Sequence, residues 1–165
     1  MTDSHDKIRV HCEVNGQAVS FEAYPMERLL DALRVQMELT GTKEGCGEGE
    51  CGACSIEMDG SLVNSCLIPV LQAEGAQIRT IEGVAHSAQL SALQQAFLTH
   101  GGAQCGICTP GMILAATSLL ERNKDPTDEE IREGLSGNLC RCTGYTKIFE
   151  SVVEACRTRK RGQDA

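Results

Sequence analysis

Eight of the ten cysteines in this 165-residue chain fall into two separate sets of four, and that division limits the fold more than any other feature. The first set is Cys46, Cys51, Cys54 and Cys66, spaced C-x4-C-x2-C-x11-C. The second is Cys105, Cys108, Cys140 and Cys142, spaced C-x2-C-x31-C-x-C. Four thiolates suit a soft or borderline metal, and on ligand type alone a zinc ion and a 2Fe–2S cluster are both open. Ten cysteines in a secreted chain would read instead as disulfides. The start, MTDSHDKIRV, lacks the apolar core of a secretory signal, and the tight C-x2-C and C-x-C pairs favour metal.

The length allows one ordinary domain or two of about eighty residues each. Domains that small bury a thin core, a weakness that a bound metal group in each half would offset. The charge balance is 15 Lys+Arg against 23 Asp+Glu, a net of −8. A nucleic-acid partner would call for a basic footprint, so none is expected. The short basic tail of Arg157, Arg159, Lys160 and Arg161 reads as a solvated helix end. No stretch approaches the roughly 18 apolar residues of a membrane helix, so no membrane span and a cytoplasmic location are expected.

The order of elements follows from hydrophobic period. Ile8, Val10, Cys12 and Val14 alternate with polar residues as in a half-buried strand, and Asn15-Gly16 is a strong hairpin signal before a returning strand with Val19, Phe21 and Ala23. Leu29, Leu30, Leu33 and Met37 then predict a helix over about 27–37. The stretch from Thr40 to Cys54 holds five glycines and cannot be a regular element. Asp59-Gly60 marks a second hairpin, between strands at 55–58 and 62–63, and a further strand is expected near 78–81. The second half changes to helices. One carries Leu90, Leu93, Phe97 and Leu98 and ends at Gly101-Gly102; the next starts with Thr109 as cap and Pro110 in first position. A third opens at Pro126-Thr127 with Glu130 completing a capping box, and a last carries Phe149, Val152, Val153 and Cys156. The fold class is therefore α+β. A β-grasp, plant-type ferredoxin domain over residues 1–82 precedes a four-helix-bundle domain over 83–165, with the boundary near 82–87.

Surroundings separate cluster from zinc in the first set. Zinc sites use two C-x2-4-C knuckles, whereas here three cysteines lie along one glycine-rich loop whose spacings follow the plant-type pattern. Such a loop can wrap a group larger than one ion and turn N–H groups towards sulfur. The second set is less diagnostic on spacing, with a cluster favoured over zinc. Cys105 and Cys108 precede one helix start and Cys140 and Cys142 another, where partial positive charge favours an anionic group. The histidines lie outside both motifs: His11 sits on the polar strand face, His5 in the terminal segment, and His86 and His100 read as surface residues. Cys12 and Cys156 fall on apolar faces and are expected to pack as small hydrophobes.

Three motifs together resemble a known family. Gly-Cys46-Gly-Glu-Gly-Glu-Cys51-Gly-Ala-Cys54, Gln104-Cys105-Gly-Ile-Cys108-Thr-Pro-Gly-Met and Gly-Asn-Leu-Cys140-Arg-Cys142-Thr-Gly-Tyr look like the iron–sulfur portion of the molybdenum hydroxylases, the xanthine dehydrogenase and aldehyde oxidase family. The resemblance spans roughly residues 7 to 156. It implies that Cys46, Cys51, Cys54 and Cys66 hold a 2Fe–2S cluster nearer the flavin. It also implies that Cys105, Cys108, Cys140 and Cys142 hold a second 2Fe–2S cluster nearer the molybdenum cofactor. Gln104 and Cys142 match positions that contact the molybdopterin, Cys142 as the point of electron entry.

On that resemblance the chain is the small subunit of a three-part bacterial oxidoreductase. A large subunit would carry the molybdopterin-type molybdenum cofactor and a medium subunit FAD, assembled as a dimer of heterotrimers. The implied reaction hydroxylates an N-heteroaromatic, purine or aldehyde substrate with oxygen from water, and no catalytic residue is expected on this chain. Two alternatives stand beside it: a free-standing two-cluster ferredoxin serving several oxidoreductases, and a zinc scaffold.

Overall fold

The computed structural model describes residues 6–85 and 89–163. The first half is one mixed five-stranded sheet. Its strands are β1 (Ile8–Val14), β2 (Gln17–Ala23), β3 (Ser55–Met58), β4 (Ser61–Asn64) and β5 (Gln77–Arg79), in spatial order β2-β1-β5-β3-β4. β1 runs antiparallel to β2 but parallel to β5, and β3 is antiparallel to both β4 and β5. Both hairpin signals act as expected. Asn15 and Gly16 take φ of 53° and 78°, Asp59 and Gly60 take 50° and 76°, and two successive positive φ values make the primed turn that suits strand twist.

The buried side of β1, formed by Val10, Cys12 and Val14, packs with Leu29, Leu33, Ile56 and Ile78 into one core. The helix expected over 27–37 is shorter and of a different kind. α1 (Leu29–Asp31) is a single α turn that continues as a π turn, Ala32–Gln36. Arg28 is extended and bridges to Pro69, while Glu27 lies in a bend whose carbonyl accepts from the Val70 N–H at 2.8 Å, so the helix cannot start before Leu29. The last expected strand also ends early: β5 stops at Arg79, and Ile81 opens a 3-10 turn, Ile81–Gly83.

Four helices follow: α2 (Ala92–His100), α3 (Thr109–Arg122), α4 (Asp128–Gly134) and α5 (Thr146–Gln163). Their shared core includes Phe97, Met112, Leu120, Ile131, Ile148 and Val152. Ser91 caps α2, and Leu90 precedes it on the surface; Gly101 ends it in the left-handed conformation, with φ 72°. Leu98, counted in the apolar pattern of that helix, points to solvent. Thr127 and Glu130 form the expected capping box on α4. Thr109 does not cap α3. The cap is Cys108, and Thr109 lies inside the first turn with its buried hydroxyl unpartnered. Cys12 and Cys156 are both buried, one in each core. His11 is exposed beside Glu74, whereas His5 and His86 lie outside the described residues, as does Ser87 at the far end of the expected boundary segment.

Helix α3 packs across β3 and β4, joining the halves. An ion network reinforces that join. The Arg79 guanidinium on β5 donates to both oxygens of Glu121 on α3, at 2.8 and 2.9 Å, and also to Glu57 on β3. The forked donor geometry of arginine suits this bidentate contact, and Arg79 holds the Glu121 carboxyl below the usual carboxylate range. No helix among the described residues is long and apolar enough to cross a membrane.

The α4 cap gives a direct stability test. Thr127→Ala removes the side-chain acceptor for the Glu130 N–H, which should cost about 1 kcal/mol. In a chain of this size the melting midpoint followed by circular dichroism should then fall by about 2–4 °C.

Candidate metal centres

Each set of four cysteines is gathered into one place, and each resolves into an inner and an outer pair. In the first set the exposed Cys46 hydrogen-bonds through its sulfur to Cys51, while the buried Cys54 pairs with the buried Cys66. In the second, exposed Cys105 and Cys142 pair with each other, and buried Cys108 pairs with buried Cys140. Gln104 lies exposed beside the outer pair of the second set. Among the described residues no group of three or more His, Cys, Asp or Glu side chains is gathered as a single metal ion would require.

The first loop owes its shape to short-range contacts. Arg34 donates to the carbonyls of Thr40 and Thr42, at 3.0 and 2.6 Å, and Arg28 links Asp31 on α1 to Glu44 in the loop. A side chain at Gly45 would place its Cβ 2.7 Å from the Cys51 sulfur, so only glycine leaves that sulfur room. The Glu48 N–H donates to the Cys46 sulfur at 3.4 Å. That amide, with those of Cys51 and Glu50, lowers the Cys46 thiol to about 7. The inner pair sits under Leu30, which packs on Cys54 and Cys66. Burial pushes Cys54 up to about 11. Ser65, fully buried, donates its hydroxyl to the Cys54 carbonyl at 2.8 Å.

The second set is built the same way from different elements. The Ile107 amide lowers the Cys105 thiol, and burial at the start of α3 pushes Cys108 up to about 12. Burial also works to raise Cys140, but the hydroxyl and amide of Thr143 outweigh it and the thiol is lowered. The Thr143 hydroxyl lies 3.1 Å from that sulfur. The Cys140 N–H in turn donates to the Tyr145 hydroxyl at 2.9 Å. The sequence alone assigns no role to Thr143, Tyr145, Ser55, Ser65 or Asn138. An amide or hydroxyl one to three residues from a cysteine is the signal it offers.

This donor set fits two iron–sulfur clusters better than two single ions. A zinc site asks for four sulfurs around one point, whereas thiols meeting in twos supply two ligands to each iron of a 2Fe–2S cluster. Amides aimed at the outer sulfurs favour thiolate there, and a bound cation would offset the burial that opposes thiolate at Cys54 and Cys108.

The two loops touch. The Cys51 carbonyl accepts from the Leu139 N–H at 2.9 Å, and the Gly52 carbonyl accepts from the Asn138 side-chain amide at 2.8 Å. A cavity of about 150 Å3 is lined by all four cysteines of the second set together with Gly45, Cys51 and Ala53 of the first loop. A larger concavity of about 620 Å3, between α4 and α5, is lined by charges of both signs and by no cysteine.

Comparison with known proteins follows the same division. A family model described as a 2Fe–2S iron–sulfur cluster binding domain matches residues 12–79, and another, described as a 2Fe–2S binding domain, matches residues 80–153. The chain is 53% identical over 154 residues to the nicotinate dehydrogenase small FeS subunit of Eubacterium barkeri, covering 92% of this chain and 98% of that one. It is 46% identical over 156 residues to the xanthine dehydrogenase iron-sulfur-binding subunit of Escherichia coli O157:H7, covering 93% and 98%. The crystal structure of quinoline 2-oxidoreductase from Pseudomonas putida 86 matches with a TM-score of 0.90 at 43% identity, over 95% of this chain and 98% of that one.

Gly111, in the first turn of α3, tests how tightly the halves are seated. Alanine in mid-helix normally gains about 1 kcal/mol over glycine. Here its Cβ would meet the Gly52 carbonyl oxygen at 2.2 Å, a backbone atom that cannot swing aside. The clash should win: Gly111→Ala should destabilise the chain by about 1–3 kcal/mol in denaturant titration, and a gain in stability would contradict the close contact.

Proposed function

Since the chain belongs to the iron–sulfur subunits of the molybdenum hydroxylases, the xanthine dehydrogenase and aldehyde oxidase family, we propose that it carries electrons from a molybdopterin centre on a large subunit towards FAD on a medium subunit. The observation that carries this reading is the direct contact of two four-thiol sites, each with one buried pair of thiols and one pair nearer the surface.

We assign Cys46, Cys51, Cys54 and Cys66 to the first 2Fe–2S cluster and Cys105, Cys108, Cys140 and Cys142 to the second. Such a cluster, when bound, supplies a one-electron carrier whose potential depends on charge, hydrogen bonding to sulfur and exposure. The chain's residues set each of those quantities. The Glu48 and Ile107 amides and the Thr143 hydroxyl donate to sulfur, and the acidic loop residues Glu44, Glu48 and Glu50 add negative charge around the first set. Gln104 and Cys142, both exposed, are proposed to meet the pterin, which places the second set on the molybdenum side. The halves on either side of residue 82 are read as a β-grasp domain and a four-helix-bundle domain. The partners are proposed as one large and one medium subunit per small subunit, paired as a dimer of heterotrimers. Substrate chemistry belongs to the large subunit, with a small heteroaromatic ring, purine or aldehyde as the substrate class.

Purified with its native partners, the chain should be brown, hold about four irons and give two reduced-state EPR signals. A stable, fully loaded monomer that serves several unrelated oxidoreductases would overturn the subunit reading in favour of a free ferredoxin. Cys51→Ser should abolish one signal and about half the iron while the helical half keeps its circular dichroism; retention of both signals would contradict the ligand assignment. Gln104→Ala should leave both signals in place and slow substrate-dependent flavin reduction. Loss of the second signal would make Gln104 structural instead.

A further inference from the structure

The hydrogen bonds between the two cysteine loops are concentrated on one side chain. Asn138 is 3% exposed, and its amide nitrogen donates to the Gly52 carbonyl at 2.8 Å and to the Ser55 hydroxyl at 3.1 Å. Those partners lie 86 and 83 residues away in sequence, one residue beyond Cys51 and one beyond Cys54. Ser55 is itself buried and donates its hydroxyl back to the same Gly52 carbonyl at 2.7 Å. On the other side of Asn138, the Leu139 N–H donates to the Cys51 carbonyl at 2.9 Å, and Cys140 follows immediately. There is no slack in this seat. A Cβ on Gly52 would come within 2.4 Å of the Gly137 carbonyl and 2.5 Å of the Asn138 amide nitrogen.

We infer that Asn138 is a positioning residue for electron transfer, a latch that fixes the spacing between the two thiol sites. This rests on the ligand assignment proposed above. An amide that merely satisfied itself in a core could take partners from its own loop. Asn138 gives both hydrogens of its side-chain nitrogen to the opposite loop, one residue from Cys51 and one from Cys54. A second chemistry at this position is excluded by type. A carboxylate of the same shape has no hydrogens to give and would turn lone pairs towards the Gly52 carbonyl, pushing the loops apart. Since Cys140 is two residues from Asn138 and Cys51 is next to its partner Gly52, a shift there reaches both sites at once.

The test uses the full chain loaded with both clusters, in the wild type and in Asn138→Asp, Asn138→Ser and Ser55→Ala. With both clusters reduced, the two paramagnets split each other's EPR lines, and that splitting falls steeply with separation. The expected result is full iron content and unchanged g values for each signal, with a narrowed mutual splitting in Asn138→Asp and a smaller narrowing in Ser55→Ala. Asn138→Ser, which keeps a donor but shortens its reach, should fall between Asn138→Asp and the wild type, and carries the test should the aspartate variant fail to fold. Splitting unchanged from the wild type in all three variants would overturn the inference. Iron lost from either set would also overturn it, making Asn138 a residue that shapes one ligand loop rather than the gap between two. Absence of two signals from the wild-type chain itself would instead overturn the cysteine assignment, and this inference with it.

Discussion

Everything distinctive about this molecule depends on one buried polar contact, where the loop through Cys51 and Gly52 meets the loop through Asn138 and Leu139. The Gly52 carbonyl there takes three donors: the Ser55 amide at 3.1 Å, the Ser55 hydroxyl at 2.7 Å and the Asn138 amide at 2.8 Å. Neither loop is a regular element, and the first is rich in glycine, so contacts within each loop are supplemented by contacts with the other. Pressed together with their polar groups satisfied, each becomes rigid through the other. A buried network of this kind specifies one arrangement when complete and is costly when any member is missing. Helix α3 seals it from a third direction, since Gly111 leaves no gap above the Gly52 carbonyl.

The electrostatics of the two sites follow from the same architecture. Each set buries one pair of thiols and leaves the other pair wholly or partly exposed. Burial drives the inner Cys54 and Cys108 away from thiolate, whereas backbone amides draw the outer Cys46 and Cys105 towards it. A chain with net charge −8 gains nothing by adding bare thiolates to its interior. Inner thiols at Cys54 and Cys108 are reasonable as ligands only with cations beside them, which ties the stability of each half to what its loop holds. That coupling suits halves of about eighty residues, whose apolar cores are thin.

The strands, both hairpins and the last two helices were legible because each rests on a local rule: alternation, a two-residue turn signal, or a capping box. The grouping of eight cysteines was legible from spacing, and the family from the residues around them. What local rules missed came from contacts distant in sequence. The expected first helix is too long because nothing near Arg28 reveals that Pro69 will bridge to it, or that Val70 will claim the Glu27 carbonyl. Thr109-Pro110 looked like a helix start by residue type, yet Cys108 takes the cap position and draws Thr109 into the first turn. Asn138 lies two residues before Cys140, but its partners lie more than eighty residues away. No periodicity reports on such a pair.

The surface around the two sites bears on why such a chain would work in a complex. Ile107 is 45% exposed and Leu139 53%, and both line the cavity that holds the second set of cysteines, beside the exposed Cys105 and Cys142. Leu67, 60% exposed, lies against Gly49 in the loop of the first set. In an isolated molecule the exposed thiols are open to water and oxidant, whatever apolar side chains flank them. Covered by a partner, the same side chains exclude water and lower the local dielectric, which governs the potential of a cluster. On the proposed assignment, one end of the chain is closed on the molybdenum side and the other on the flavin side. The latch at Asn138 then holds the interior at the one spacing that the two outer contacts cannot set for themselves.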